Sequence, residues 1–174
     1  MHILIDGYNL IRQSDTLRRF ERQSLEAGRN ALISFLAGYQ QKKNHRITVV
    51  FDGWESGSAQ EERDYSSGIN ILYSRRGEKA DEVIKRIIAH TDEEILVVSS
   101  DHEISSFAAR RSKTAISSPE FETIIKKSSR ALPGDENEVE KDDELPTERL
   151  CKKKGPARKL SRTQRQALAK IKKL

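Results

Sequence analysis

The sequence has 174 residues, which is the length of about one domain, and its formal net charge is +5. Hydrophobic residues make up 35% of the chain, less than a globular domain usually has, so part of it is expected to stay outside the core. Its one cysteine excludes an intramolecular disulfide and leaves a zinc site short of sulfur ligands. No apolar stretch approaches the roughly 18 residues that span a membrane, and the first apolar run meets Asp6 too soon for a signal peptide. We therefore expect a cytoplasmic protein without a membrane partner.

The charge is unevenly distributed along the chain. Residues 134–149 contain eight acids and two bases, whereas residues 151–174 contain ten bases and no acid. The preceding part of the chain is nearly neutral. This division predicts a folded domain over residues 1–132, an acidic linker over 133–150 and a basic tail over 151–174. Ser161 and Gln164 have the spacing of a capping box, so the tail is predicted to contain a short amphipathic helix.

Short runs rich in Ile, Val and Leu alternate with segments of helical period, which predicts an α/β fold with a parallel sheet of about five strands. Four helices are predicted. One is N-capped by Ser24, and one begins at Ser118-Pro119. The other two contain the apolar positions that begin at Ala80 and at Ile104. The segment 53–68 has no period and is predicted to be a long loop. The strands are predicted at residues 2–5, 47–51, 69–73, 95–98 and, more weakly, 114–116.

Acidic residues follow the predicted strands. Asp6 ends the first strand, Asp52 the second, and Asp101 follows the fourth, while Asp81 and Glu82 begin the helix after the third. Each acid alone is explained as a turn residue or as a helix-start acid that suits the helix dipole. Ligands of open parallel sheets bind at the carboxyl ends of the strands, so several acids at that edge together indicate a functional site.

Crowded carboxylates repel one another unless a cation lies among them. Oxygen ligands without His or Cys favour Mg²⁺ or Mn²⁺. Divalent metals held by carboxylates at an open edge suit the hydrolysis of phosphodiester bonds. The acids therefore predict metal-assisted phosphoryl chemistry.

The residues near the acids suit a polymeric substrate. Arg75, Arg76 and Lys79 precede Asp81 and are candidates for phosphate contacts, although a solvated charge run explains them equally simply. Tyr8 and Trp54 are candidates for stacking on RNA bases, and ordinary packing is the alternative for both. RNA is the partner that this set of residues predicts.

Four blocks of sequence, taken in order, resemble the YacP-like group of NYN-domain proteins in the PIN-like nuclease superfamily. They are IDGYNLI at residues 5–11, VVFDG at 49–53, ADEVI at 80–84 and VVSSD at 97–101. The resemblance covers about residues 1–130. It implies a PIN-like three-layer α/β/α fold and a bacterial, metal-dependent endoribonuclease that associates with ribosomes and cleaves mRNA there.

The resemblance also assigns roles to residues. Asp6, Asp81 and Asp101 would be the catalytic acids that bind the metal, and Asn9 would orient an acid, a water molecule or the scissile phosphate. Asp52 matches the second block and is an additional candidate for a metal ligand. Nothing in the sequence matches a toxin-type partner, so no obligate protein partner is inferred.

Two other functions are compatible with the sequence. The acidic edge could hold a structural Mg²⁺ in a non-catalytic module that binds RNA or the ribosome. A small-molecule phosphatase or a phospho-acceptor domain is the third hypothesis. Against a phosphatase of the haloacid dehalogenase type, Tyr8 stands where that motif requires an aspartate.

Overall fold

A computed structural model describes residues 1–53 and 60–130, the last three of these for their backbone only. This part of the chain forms six strands and six helices that alternate along much of the sequence. The strands are β1 (His2–Asp6), β2 (Arg46–Phe51), β3 (Glu62–Ser66), β4 (Ile69–Tyr73), β5 (Ile95–Val98) and β6 (Thr114–Ile116). The helices are α1 (Gly7–Gln13), α2 (Asp15–Glu21), α3 (Leu25–Gln40), α4 (Ala80–His90), α5 (His102–Arg110) and α6 (Ser118–Arg130).

The strands form one sheet in the order β3-β4-β2-β1-β5-β6. All neighbouring pairs are parallel except β3 and β4. β1 lies near the middle of the sheet and all five of its residues are buried. The α/β fold and the five predicted strands are confirmed, and the carboxyl ends of β1, β2, β4 and β5 meet at one edge. We call this edge the C-terminal edge.

Successive side chains of each strand point to opposite faces of the sheet, so the core has two parts. Ile3 and Ile5 of β1 pack on one face with side chains from α1, α3 and α6, whereas Leu4 packs on the other face with α4 and α5. The sheet therefore has helices on both faces, which confirms the three-layer arrangement. The four helices predicted for residues 1–132 are present, and Ser24 caps α3 by accepting a hydrogen bond from the N–H of Ala27 (2.9 Å).

Strand β3 corrects the prediction of an unstructured loop over residues 53–68. It pairs antiparallel with β4 at the end of the sheet, and four of its five side chains are exposed. Ser67 and Gly68 connect the two strands and both have positive φ, 53° and 82°. Such a two-residue turn matches the twist of a hairpin. An exposed edge strand needs no apolar pattern, so a search for apolar runs does not find it.

Helices α1 and α2 were not predicted. Helix α1 begins at Gly7, directly after β1, where the sequence indicates only a turn. A Cβ atom at Gly7 would lie 2.4 Å from Cε1 of Phe51, which is fully buried. Gly7 is therefore required because α1 approaches β2 closely. Ser14 ends α1 and caps α2 by accepting from the N–H of Leu17 (3.3 Å).

The opposite edge of the sheet contains a buried histidine. The guanidinium of Arg46 donates to His2 Nδ1 (2.9 Å), so that nitrogen carries no proton and Nε2 donates to the hydroxyl of Thr48 (2.9 Å). Burial lowers the pKa of His2 to about 4, and the charge of Arg46 acts in the same direction. His2 is accordingly neutral near pH 7.

Three predictions lie outside the described residues: base stacking by Trp54, the acidic linker over 133–150 and the basic tail with its helix. Within residues 1–53 and 60–130, no helix is long and apolar enough to cross a membrane.

Replacing Gly7 with Ala should lower the free energy of unfolding by about 1 to 3 kcal/mol, because the new methyl group overlaps the Phe51 ring in a packed core. Denaturant unfolding measures the change. Gly38 is the matched control: it lies in α3 with no atom within 4 Å of the position of a Cβ, so Gly38→Ala should be neutral or stabilise by up to about 1 kcal/mol. Equal effects of the two substitutions would contradict the close-approach explanation.

Candidate active site

Asp6 is the last residue of β1 and the N-cap of α1. Its Oδ1 accepts a hydrogen bond from the backbone N–H of Asn9 (3.2 Å), and its Oδ2 accepts one from the hydroxyl of Ser99 (3.1 Å). The pKa of Asp6 is raised to about 6, mainly by burial. The charges of Asp81 and Asp101 add to this increase, and the two hydrogen bonds oppose it.

Asp81 and Asp101 are brought to Asp6 by two different helices. Asp81 lies in the first turn of α4, and Asp101 is the N-cap of α5, where its Oδ1 accepts from the N–H of Glu103 (2.6 Å). Burial raises the pKa of Asp81, and the charge of Asp101 raises it further. The structure thus brings the three sequence-predicted acids into mutual electrostatic contact. We call Asp6, Asp81 and Asp101 the acidic triad.

Ser99 connects two members of the triad. Its buried hydroxyl donates to Asp6 Oδ2 and accepts from the backbone N–H of Asp101 (3.1 Å). Ser99 was not predicted from the sequence as a site residue. The available signal is a small hydroxyl residue at the end of a buried strand, two positions before a helix-capping aspartate.

Asn9 fastens the loop after β5 to the rest of the edge. Its side-chain oxygen accepts from the backbone N–H of Ser100 (2.9 Å) and from the hydroxyl of Ser118 (2.8 Å). Its backbone N–H orients Asp6. Because the oxygen of Asn9 is used in this way, the geometry favours a positioning role over direct metal ligation.

A lysine and a glutamate border the triad and were also missed from the sequence. Nζ of Lys85 lies 2.8 Å from Oε2 of Glu103 and links α4 to α5. The hydrogen bond that Lys85 donates to Glu103 is the main cause that raises the pKa of Lys85, and the charges of Asp81 and Asp101 act in the same direction. Lys85 lies four residues after Asp81, so both residues share one face of α4. This spacing was the available signal.

Asp52 lies at the same edge but in a different environment. The hydroxyl of Ser74 is 3.4 Å from Asp52 Oδ1, and it also accepts from the N–H of Gly53 (2.9 Å) and donates to the carbonyl oxygen of Glu78 (2.7 Å). The metal ligation predicted for Asp52 stays a prediction.

The three basic candidates differ in their surroundings. Arg75 forms an ion pair with the buried carboxylate of Glu78 (3.2 Å), which also binds Arg86. Arg76 is exposed, and Lys79 precedes α4 close enough to Asp81 to lower its pKa. Arg76 and Lys79 are thus better placed than Arg75 for phosphate contacts.

Tyr8 is packed rather than presented to solvent. Its ring meets the ring of Phe51 edge to face at 5.3 Å between centroids, and its hydroxyl accepts from Nε of Arg29 (2.9 Å). The guanidinium groups of Arg12 and Arg29 lie over the ring, at 5.4 and 5.8 Å from its centroid. These contacts support the packing alternative for Tyr8.

The triad has the donor chemistry of a site for a hard divalent cation. Its carboxylates are partly desolvated and repel one another, a strain that a cation relieves. As the described side chains stand, no group of three His, Cys, Asp or Glu residues converges closely enough to hold an ion. Mg²⁺ usually keeps several waters and uses one or two carboxylates, so the donor set fits an ion bound partly through water.

A mostly parallel α/β/α sheet with acids from three elements at its C-terminal edge defines a domain of the PIN-like class. The model of the YacP-like NYN domain matches residues 3–173, and the chain belongs to this family. The matched range extends past residue 130, where the resemblance seen in the sequence blocks ends. Family and fold together fit a nuclease-type function related to RNA.

Individual relatives agree with the family assignment. The uncharacterized protein YacP of Bacillus subtilis (strain 168) is 31% identical over 85 residues, so the chain spans about half the length of this curated relative, 49% of each protein. A mutant form of Rae1 (YacP) from Bacillus subtilis has a crystal structure that matches with a TM-score of 0.61 and 25% identity, over 75% of this chain and 77% of that one. A second Rae1 (YacP) crystal structure matches with a TM-score of 0.62 and 24% identity, over 75% and 76%.

Asp6→Asn should stabilise the metal-free protein, and the gain should depend on pH. The pKa of Asp6 is about 6 in the folded protein against an ordinary 3.8, so ionising this group lowers stability as the pH rises from about 4 to about 6. Asparagine removes that penalty but loses one of two hydrogen bonds, which leaves a net gain of about 1 to 2 kcal/mol above pH 6.

Thermal unfolding in EDTA at a series of pH values measures this difference. The melting temperature of Asp6→Asn should exceed that of the original protein at pH 7 and approach it near pH 4. Asp92→Asn is the matched control, since Asp92 is exposed at the opposite edge of the sheet. A constant difference at all pH values would show that ionisation of Asp6 is not its cause.

Proposed function

We propose that the protein is a metal-dependent endoribonuclease that hydrolyses phosphodiester bonds of RNA. One observation carries the proposal: three aspartates from β1, α4 and the β5–α5 junction are electrostatically coupled at the edge where ligands of open α/β sheets bind. A purely structural role does not require an arrangement that raises the pKa values of Asp6 and Asp81. Membership of the NYN family supports the same function.

Asp6, Asp81 and Asp101 would hold the Mg²⁺ or Mn²⁺. When bound, the ion would supply Lewis acidity toward water and toward the phosphate oxygens. Ser99 positions Asp6 and Asp101 by hydrogen bonds to the carboxylate of Asp6 and to the backbone N–H of Asp101. Asn9 positions the loop between β5 and α5 by accepting from the N–H of Ser100. Lys85 lies beside the acids with its charge shared by Glu103, where it can contact a non-bridging phosphate oxygen.

Ribosome association, mRNA as the substrate and a cytoplasmic location are further parts of the proposal. They come from the resemblance of the sequence to YacP-like proteins. The ten bases of residues 151–174 support a polyanionic partner, because each phosphate that they neutralise releases counterions.

A non-catalytic module that binds RNA or the ribosome is the second candidate. The observation in its favour is that, among the described residues, no three potential ligands converge on one point. Under this hypothesis the triad holds a structural Mg²⁺, and RNA is bound without being cleaved.

Asp81→Asn and Asp101→Asn should each reduce RNA cleavage by about 100-fold or more, because each removes a charged ligand of an ion that stabilises the transition state by several kcal/mol. Asparagine is the appropriate substitution at position 101, since it also caps helices. The measurement is the single-turnover cleavage rate in Mn²⁺, Mg²⁺ or EDTA, with Asp92→Asn as control. Cleavage in EDTA, or at the original rate by both variants, would contradict the proposed site. Binding without any cleavage by the original protein would select the second candidate.

Replacing Arg76 and Lys79 together with Gln should weaken RNA binding and flatten its dependence on salt. Each lost phosphate contact lowers the slope of log affinity against log salt by about 0.7 on single strands. Arg75→Gln is the internal control, because Glu78 already pairs with this guanidinium and the expected change is smaller. Fluorescence anisotropy with labelled RNA in EDTA measures the slopes. A slope unchanged by the double substitution would assign both residues to the solvated surface.

A further inference from the structure

One arginine of the described chain lies among aromatic rings near the C-terminal edge. The guanidinium carbon of Arg29, on α3, is 5.8 Å from the ring centroids of Tyr8 and Phe51 and 5.4 Å from that of Tyr73. Phe51 and Tyr73 stack at 5.7 Å between their centroids. The guanidinium carbon of Arg12 also lies over the Tyr8 ring, 5.4 Å from its centroid. We call these five residues the arginine–aromatic cluster.

The charge of Arg29 has no anionic partner in the described part of the chain. No carboxylate oxygen there lies within 4 Å of it, and its Nε donates to the neutral hydroxyl of Tyr8. Two more exposed arginines do have anionic partners: Arg46 pairs with Glu93, and Arg86 pairs with Glu61 and Glu78. A half-buried guanidinium without a counter-charge is unusual, and the rings offset only part of its desolvation.

The cluster lies on the same edge as the acidic triad. Tyr8 follows Asp6 by two residues, and Phe51 and Tyr73 are the paired last residues of β2 and β4. β2 lies between β1 and β4 in the sheet. The rings therefore lie one or two strand spacings from Asp6, roughly 5 to 10 Å along the edge.

The two groups belong to opposite faces of the sheet. Phe51 packs with the core on the α1, α3 and α6 side, whereas Asp6 is in register with Val50, whose side chain packs on the α4 and α5 side. A ligand that contacts both groups must cross the edge from one face to the other. A polymer with a charge on every unit can cross the edge in this way and place neighbouring phosphates at the two groups.

We propose that the arginine–aromatic cluster binds a backbone phosphate of single-stranded RNA next to the scissile one, with Arg29 as the principal contact. The guanidinium has a planar fork of donors that matches phosphate oxygens, and packing on three rings fixes its orientation. Arg12 also lies over the Tyr8 ring, but its Nε is paired with Glu21 (3.2 Å), so its part in the contact is secondary to that of Arg29. This inference rests on the proposed nuclease function, because that function supplies the RNA.

The test compares RNA binding by variants of the full chain in EDTA, where no cleavage interferes. Arg29→Met keeps the aliphatic packing over the rings and removes the charge. It should weaken binding of a short single-stranded RNA by about tenfold and lower the salt slope by about 0.7. Arg29→Lys keeps the charge, so it should retain the slope and lose part of the affinity.

Arg111→Met is the matched control, because Arg111 also lies over an aromatic ring, that of Phe107 at 5.6 Å, at the far end of α5. The proposal would be overturned if Arg29→Met bound RNA with the affinity and salt slope of the original protein. It would also be overturned if Arg111→Met lost as much RNA affinity as Arg29→Met. Either result would leave Arg29 as a packing residue. If Arg29→Met did not fold, Arg29→Gln would decide, since an unchanged salt slope in that variant overturns the proposal as well.

The same samples in Mn²⁺ separate this inference from the nuclease proposal. Weakened binding by Arg29→Met together with no cleavage by the original protein would contradict the nuclease function and retain the phosphate contact. Normal cleavage by the original protein together with unchanged binding by Arg29→Met would contradict the phosphate contact and retain the nuclease function.

Discussion

The carboxylate of Asp6 loses most of its contact with water at the end of β1, yet it is needed there to cap α1. Its two hydrogen bonds fix the start of α1 and the end of β5, and the positions of Asn9 and Ser99 follow from them. A buried charge of this kind is unfavourable by itself, and two further aspartates increase the penalty. The arrangement is consistent with an edge that is completed by a cation and not by folding alone.

Positive charge is distributed around this edge in two ways. Most basic side chains discussed above are paired within the protein, such as Lys85 with Glu103 and Arg75 with Glu78. Arg29 is held by aromatic rings and by a hydroxyl. Paired cations link helices and loops. A cation that is oriented by neutral groups is not neutralised within the protein, so its charge can attract an anionic ligand.

The sequence predicted the elements whose side chains are buried, and it missed those whose formation depends on local hydrogen bonds. Five strands and four helices have apolar patterns because they line the two cores. Strand β3 is charged and exists through its pairing with β4, and α1 depends on close packing at Gly7. At the site, the aspartates were recognisable from their positions after strands. Ser99, Lys85 and the partner of Arg75 were not, because a short spacing from an aspartate or from another charge does not by itself show which groups pair.

Strand β1 has a buried ionisable side chain at each end, and the two titrate in opposite senses. The folded state prefers neutral His2, whose pKa is lowered to about 4, and protonated Asp6, whose pKa is raised to about 6. As the pH falls through this range, the stability lost at the histidine is offset by the stability gained at the aspartate. The contributions of these two side chains to the free energy of unfolding therefore oppose each other while the charge of Asp6 changes. The two ends of one strand thus compensate each other, so mild acid can protonate Asp6 at little cost to the stability that this strand contributes.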